Sequence, residues 1–385
     1  MKDLIARHVA EYGSEPEVMA SAPGVLNLMG EHTDFAEGYV LQTALPHTVE
    51  VAISRRKDNS LRFYAADVHE RKRTTVANLK YKREDRWANY LKGVLYELLQ
   101  LGYQFRGLNI SFGGTVPQGI GLGASAAVGL ATAFAMRELF GYNIEDIKLV
   151  QVVYLSESAF IGIPEQITDQ FVACFAKQES AVFLNLHTLE YNHLPLRIGN
   201  ARFVVTNSNV NQNYAKEEVA ERYRQCEEGI EKLQGHDSGK TILDFSEQEL
   251  KQGTDLLSEA ERRLCLHVVG ENRRVIESRS ALLQQDLVSF GKIMNRSQES
   301  LRDNFEVSCP EIDWLVKRAG ELEGCYGSRL VGPGFGGCTV TLLEEAVIEE
   351  YQRRLEDYER IFGFHPDIFV CEPSSGAKII FSKRG

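Results

Sequence analysis

No apolar run in this chain approaches the ~20 residues needed to cross a bilayer; the longest, Ala126 to Met136, falls well short of it. The opening MKDLIARHVAEYG alternates charged and apolar residues with no continuous apolar core, so it reads as an amphipathic helix and not as a secretion signal. Cysteine is scarce: 7 in 385 residues, odd in number, scattered, and without a Cys-x-x-Cys pair. That pattern excludes a disulfide or structural-zinc framework as the organising device and suits buried thiols in a reducing compartment. Positive charge is also short, with 43 Lys and Arg against 54 Asp and Glu and a net charge of −11. A broad nucleic-acid or anionic-membrane surface needs the opposite balance. The expectation is a cytoplasmic protein, monomeric, with neither nucleic acid nor membrane as partner. Any phosphate-bearing ligand must then be held locally, by backbone amides, a helix N-terminus or a metal ion.

What is present is an ordinary globular composition, 43% hydrophobic and 25% charged, over a length that fits about two domains. Strand-like runs at Val49–Ser54 and Leu108–Phe112 alternate with helical patterns at Trp87–Leu101 and Ser125–Phe140. Beyond the strand-like Ala201–Val205 and a polar stretch at Asn207–Asn213, long charged helical patterns run over Tyr214–Leu233 and Glu259–Leu287. Apolar runs at Cys338–Leu343, Ile368–Cys371 and Ala377–Phe381 close the chain, with Gln234–Lys240 as a surface loop. This predicts a mixed α/β (α+β) protein of two domains, 1–200 and 201–385.

The segment VPQGIGLGASAAVGLATAF, Val116 to Phe134, reads as a loop between the strand-like LNISF and an Ala-rich helix. Glycines there let backbone amides approach a ligand, and the helix start offers unpaired N–H groups to phosphate oxygens. Tight helix packing would require the same residues. No Gly-Lys-Ser/Thr follows at P-loop spacing. A dinucleotide reading finds Gly119, Gly121 and Ala124, but Pro117 intervenes and Glu138 falls inside a helical pattern. Elsewhere, Glu31, His32 and Asp34 form a polar cluster between apolar runs that could meet the hydroxyls of a polyol or be a solvated, capping turn. Asp169, alone in ITDQFVACF, is either a helix cap or a carboxylate with a task. Glu157 by itself reads as an exposed helical glutamate.

Three separated segments, APGVLNLMGEHTDF (Ala22–Phe35), the glycine loop, and GSRLVGPGFGGCTVTL (Gly327–Leu342), together resemble the signatures of GHMP kinases, and of galactokinases in particular. ITDQF, NSNV, RRLCLHVVGENRR and SLRDNFEVSCPE between them are similar to galactokinase segments, so the resemblance spans nearly the whole chain. It implies a two-domain GHMP kinase fold with the active site in the cleft between the domains. It implies ATP on Pro117, Gly119, Gly121, Leu122, Gly123, Ala124 and Ser125 with Trp87 near the adenine, and Mg2+ on Ser125 and Glu157. It further implies a sugar on Glu31, His32, Asp34 and Asp169, with Asp169 as the catalytic carboxylate.

Three positions depart from the galactokinase pattern. Val25 stands where an arginine sits beside the catalytic aspartate, Gln166 replaces a glycine that approaches the sugar, and Val219 falls where a tyrosine touches it. Three functions are therefore open: a galactose 1-kinase, a kinase of another sugar or small alcohol, and a sugar- or nucleotide-binding regulator with little turnover.

Overall fold

A computed structural model describes residues 2–163, 167–212, 215–236, 240–252 and 256–383. The chain packs as two compact units, one made of 1–25, 44–178 and 374–385, the other of 26–43 and 179–373. Packing therefore divides the chain differently from a single cut at residue 200, because strand pairing, not chain order, gathers the segments.

From the first unit, α1 (Lys2–Tyr12) leads into β1 (Val18–Met29) and β2 (Tyr39–Arg55), whose residues 26–29 and 39–43 belong to the second unit, and then into β3 (Ser60–Ala65) and β4 (Glu70–Thr75). Then come α2 (Ala88–Gln100), β5 (Leu108–Gly114), α3 (Ala124–Phe140), α4 (Asp146–Leu155) and α5 (Thr168–Phe175). The strands follow the order β12-β1-β2-β5-β3-β4. The last strand of the chain, β12 (Lys378–Ser382), lies antiparallel to β1 with Val18 opposite Ser382. The expected strand Val49–Ser54 is the half of β2 that pairs with β5, Val51 opposite Phe112.

The apolar run of α3 packs against α2, α4 and α5, and nearly all of its length is buried. Its small residues are what let the helices close: a β-carbon on Gly129 would lie 2.3 Å from Val153 of α4. At its C-terminal end α4 widens into a π-helical turn over Ser156–Ile161, a rare geometry that re-aims side chains.

The second unit carries β6 (Ser180–Asn185), β7 (Tyr191–Pro195), β8 (Ala201–Asn207), α6 (Ala215–His236) and α7 (Glu247–Gln252). It continues with α8 (Glu259–Leu283), α9 (Leu287–Asp303), α10 (Pro310–Gly320), β9 (Cys325–Val331), β10 (Cys338–Glu344), α11 (Ile348–Arg354), α12 (Glu356–Phe362) and β11 (Asp367–Cys371). An antiparallel sheet of order β11-β8-β10-β9 forms its centre. The helix α9 buries Phe290, Ile293, Met294, Ser297 and Leu301, the spacing of one helical face. It lies along β9 and blunts that edge: Asn295 accepts from the Ser328 amide at 2.9 Å and Gln298 from the Leu330 amide at 2.7 Å. The helical pattern expected over 259–287 is α8 as far as Leu283; it stops there because Gln285 takes a left-handed φ of 57° and Asp286 caps α9 through the Ser289 amide. Of the expected loop Gln234–Lys240, residues 234–236 complete α6 and 237–239 lie outside the described residues.

Candidate active site

In the second unit, β1 ends at Met29 and the chain turns at Gly30, where φ is +95° and a β-carbon would lie 2.5 Å from the Tyr39 carbonyl, leaving no room for a side chain. The next residues are not a solvated turn: Glu31, His32 and Thr33 are all buried. His32 itself sits at a φ of 56°, a conformation costly for a residue other than glycine. A short 3-10 turn begins at Asp34, with Thr33 and not Asp34 in the capping position.

This strained turn is held from α8 and β9. The Glu271 carboxylate accepts from the Gly30 amide at 3.0 Å, the Glu31 amide at 3.4 Å and the Ser297 hydroxyl at 2.9 Å. Its other oxygen accepts from Arg274 at 2.7 Å. The His267 ring bridges the Glu31 carbonyl at 3.0 Å and the Ser300 hydroxyl at 2.9 Å. From β9, the fully buried Arg329 donates to the Asn27 and Leu28 carbonyls at 2.8 and 3.0 Å and to the Glu31 carboxylate at 3.1 Å. Asn27 donates to the same Glu31 oxygen at 3.2 Å.

The electrostatics follow from burial. Desolvation pushes the Glu31 carboxyl up to about 7 against the pull of Arg329, with Asp34 and Glu271 adding to the rise. Burial also lowers His32 to about 3 and His267 to about 4, so both imidazoles are neutral at pH 7. For Glu271 burial is outweighed by Arg274, His267 and Arg329, which hold it down at about 2. Two polar atoms of this group, Asn27 Oδ1 and His32 Nε2, are buried with no hydrogen-bond partner among the described residues. Buried polar atoms are almost always paired, so both are open to a further polar partner.

In the first unit, the glycine loop passes through left-handed conformations at Gly119, Gly121 and Gly123, with φ of 76°, 77° and 65°. Gly123 immediately precedes α3, whose first residues are Ala124 and Ser125. The Val25 amide donates to the Leu122 carbonyl at 3.0 Å. A β-carbon on Gly123 would lie 3.1 Å from the Val25 Cβ and 3.3 Å from an Asp169 carboxylate oxygen, so Val25 and Asp169 flank one point of the loop. Asp169 stands in the first turn of α5 and is not its cap; Ile167 holds that position. Glu157, within the π-helical turn, is not an exposed helical glutamate but is buried to 1%. Its Oε2 accepts from Gln170 at 3.0 Å and from the Ser125 hydroxyl at 3.4 Å, an oxygen pair of the hard type that magnesium prefers.

Trp87 precedes α2, its indole N–H donating to Glu70 at 2.8 Å and its ring tilted against Phe112; no hydrogen bond or ring contact joins it to the glycine loop among the described residues. Val219 is buried in the core between α6 and α8. Gln166 lies outside the described residues. The residues that the sequence reading missed are Arg329, Glu271, His267 and Tyr223, the last placing its hydroxyl 2.9 Å from His32 Nδ1. Arg329 had one available signal, a lone cation in the apolar run of β9, since a buried charge requires a partner.

The strained turn after β1 and the glycine loop ahead of a buried helix define the class: the chain has the fold and signatures of GHMP kinases. Family models agree, with the GHMP kinases N terminal domain over 89–177, the GHMP kinases C terminal over 278–360, and the galactokinase galactose-binding signature over 6–55. The galactokinase of Roseiflexus sp. is 36% identical, with 97% of this chain and 96% of that protein aligned. That of Ligilactobacillus salivarius is 33% identical over 96% and 97%. A crystal structure of Lactococcus lactis galactokinase complexed with galactose superposes with a TM-score of 0.93 at 27% identity, covering 98% of this chain and 99% of that one. This chain belongs to the galactokinase family.

Proposed function

We propose that the protein is an ATP-dependent galactose 1-kinase, converting ATP and galactose to galactose 1-phosphate and ADP. The observation that carries the reading is the buried Glu31–His32 turn, which lies inside the galactose-binding signature and holds His32 Nε2 without a hydrogen-bond partner among the described residues. An ionised carboxylate accepts sugar hydroxyl protons, and an imidazole of fixed protonation supplies the complementary hydrogen bond. Asp34 extends this group toward the same ligand.

In this reading Pro117, Gly119, Gly121, Leu122, Gly123 and Ala124 hold the phosphates through backbone amides and the N-terminal end of α3, and Trp87 stands on the adenine side. Ser125 and Glu157 would hold Mg2+, which when bound neutralises charge on the phosphates. Asp169 accepts the proton of the attacking hydroxyl or orients it. Cysteines that are free, and mostly buried, fit a cytoplasmic protein, and a monomer suffices for every role assigned.

A second reading, a sugar- and nucleotide-binding protein with slow turnover, is favoured by Val25, which brings neither charge nor hydrogen bond to the neighbourhood of Asp169. ADP release measured across a panel of sugars decides between them. The expected result is fastest turnover with galactose, abolished in Asp169→Asn while galactose and ATP still bind. Turnover of another sugar at a higher kcat/KM, or of none, would replace the proposal with the corresponding alternative.

A further inference from the structure

Tyr223 lies one helical turn beyond Val219 on α6. Residues four apart share a helix face, and Tyr223 uses that face to set its hydroxyl 2.9 Å from His32 Nδ1 while its ring stacks on Phe35 at 4.3 Å. The imidazole is otherwise confined: Phe305 stacks on it at 4.6 Å and His267 stands edge-on at 6.5 Å. His32 Nε2 is buried without a hydrogen-bond partner among the described residues.

We propose that Tyr223 is a positioning and specificity residue that locks His32 in its Nε2–H tautomer, so that the imidazole offers the ligand a hydrogen-bond donor and never an acceptor. The alternative tautomer would place the proton on Nδ1, to be donated to the phenol oxygen. It would leave the phenol proton without a partner among the described residues, where the proposed one uses it in the contact with His32. Phenol oxygen is also the poorer acceptor and imidazole nitrogen the better base, so O–H to N is the stronger direction. Burial, with Asp34 and Glu31 nearby, keeps the phenol protonated well above its ordinary value, and burial keeps the imidazole neutral. The ring therefore cannot change character by titration near pH 7.

The ligand group facing Nε2 must then be an oxygen lone pair, of a hydroxyl, ether or carbonyl. Ligands with an ammonium or a methyl in its place leave the buried N–H unpaired and are rejected. Glu31 as acceptor and His32 as donor give the site both halves of hydroxyl recognition.

That the ligand is a sugar rests on the function proposed above; the tautomer does not. The test is long-range proton–nitrogen correlation spectroscopy on the full-length 15N-labelled protein, with His32 assigned by its loss in His32→Gln. The wild type should carry the proton on Nε2, and Tyr223→Phe should shift it wholly or partly to Nδ1. In the same variant the KM for galactose should rise about three- to tenfold, the worth of one well-placed hydrogen bond, with kcat and the KM for ATP within about twofold. A wild-type proton on Nδ1, or a Tyr223→Phe protein with unchanged tautomer and unchanged galactose KM, overturns the proposal. Should Tyr223→Phe fail to fold, the wild-type tautomer decides alone. A protein that phosphorylates no sugar refutes the functional reading and leaves the tautomer measurement standing.

Discussion

Replacing Glu271 by glutamine should both destabilise the protein and weaken sugar binding. Every partner of this carboxylate is a donor: the Gly30 and Glu31 amides and the Ser297 hydroxyl on one oxygen, Arg274 on the other. A carboxylate satisfies all four, but a carboxamide has one accepting oxygen. With that oxygen toward the turn, its NH2 faces Arg274, whose side chain is only 10% exposed and whose ion pair among the described residues is with Glu271. Losing a charge-assisted hydrogen bond costs about 1.5–3 kcal/mol, and stranding a buried charge about 3–5 kcal/mol. The titration of the group gives a second, separate route to the magnitude. Glu271 is held at about 2 against an ordinary 4.5, which at 1.36 kcal/mol per unit is about 3 kcal/mol. Because the folded value is the lower one, this stability is fully present above pH 4.5 and is lost as pH falls through 2. For a unit of this size the loss corresponds to a Tm lower by about 6–12 °C at pH 7. The gap between wild type and Glu271→Gln should roughly halve near pH 3, where the wild type has lost part of the same contribution. Scanning calorimetry at the two pH values, with galactose titrations at pH 7, measures both effects. A variant melting within about 2 °C of wild type at pH 7, with undiminished galactose affinity, would refute the view that this carboxylate holds the turn.

Three further outcomes are expected. Galactose affinity should strengthen from pH 6 to pH 8, because Glu31 sits at about 7 in the free protein and the sugar hydroxyls need its ionised form; proton release on binding near pH 7, read from the buffer dependence of the calorimetric heat, checks this. Gly119→Asp should fold, since nothing lies within 4 Å of the added β-carbon, yet lose ATP affinity through charge repulsion beyond the loss seen in Gly119→Ala, which carries the same strain of a φ of +76°; equal affinities would remove the phosphates from this loop. Val25→Arg places a cation beside Asp169 and should raise kcat more than it changes KM while lowering the acidic pKa of the pH–rate profile; a variant with wild-type Tm and neither change would show that the reaction here does not draw on a cation at this position.

The motifs that were legible in the sequence are the contiguous ones. The glycine loop and the Gly-Glu-His-x-Asp turn declare themselves because local backbone demands, positive φ at Gly119, Gly121, Gly123 and Gly30, select residue types within a few positions. Strands and helices were legible for the same reason, since side-chain period is a local property. The interleaving of the two units was not, because pairing β12 with β1 joins residues at opposite ends of the chain. Nor was the support of the site. Arg329 reaches Glu31 across 298 positions and Glu271 reaches Gly30 across 241. A glutamate in the middle of α8 reads as solvent-facing until the packing shows otherwise. Tyr223 joins the turn only because α6 brings its hydroxyl to His32 across 191 positions. Sequence thus determined the local turns, the glycine loop and the helical and strand periods, through rules that act over one turn of chain. Which charges the site residues meet, and hence their protonation, was decided by tertiary structure alone, because electrostatic energy depends on distance in space and on exclusion of water, not on separation along the chain.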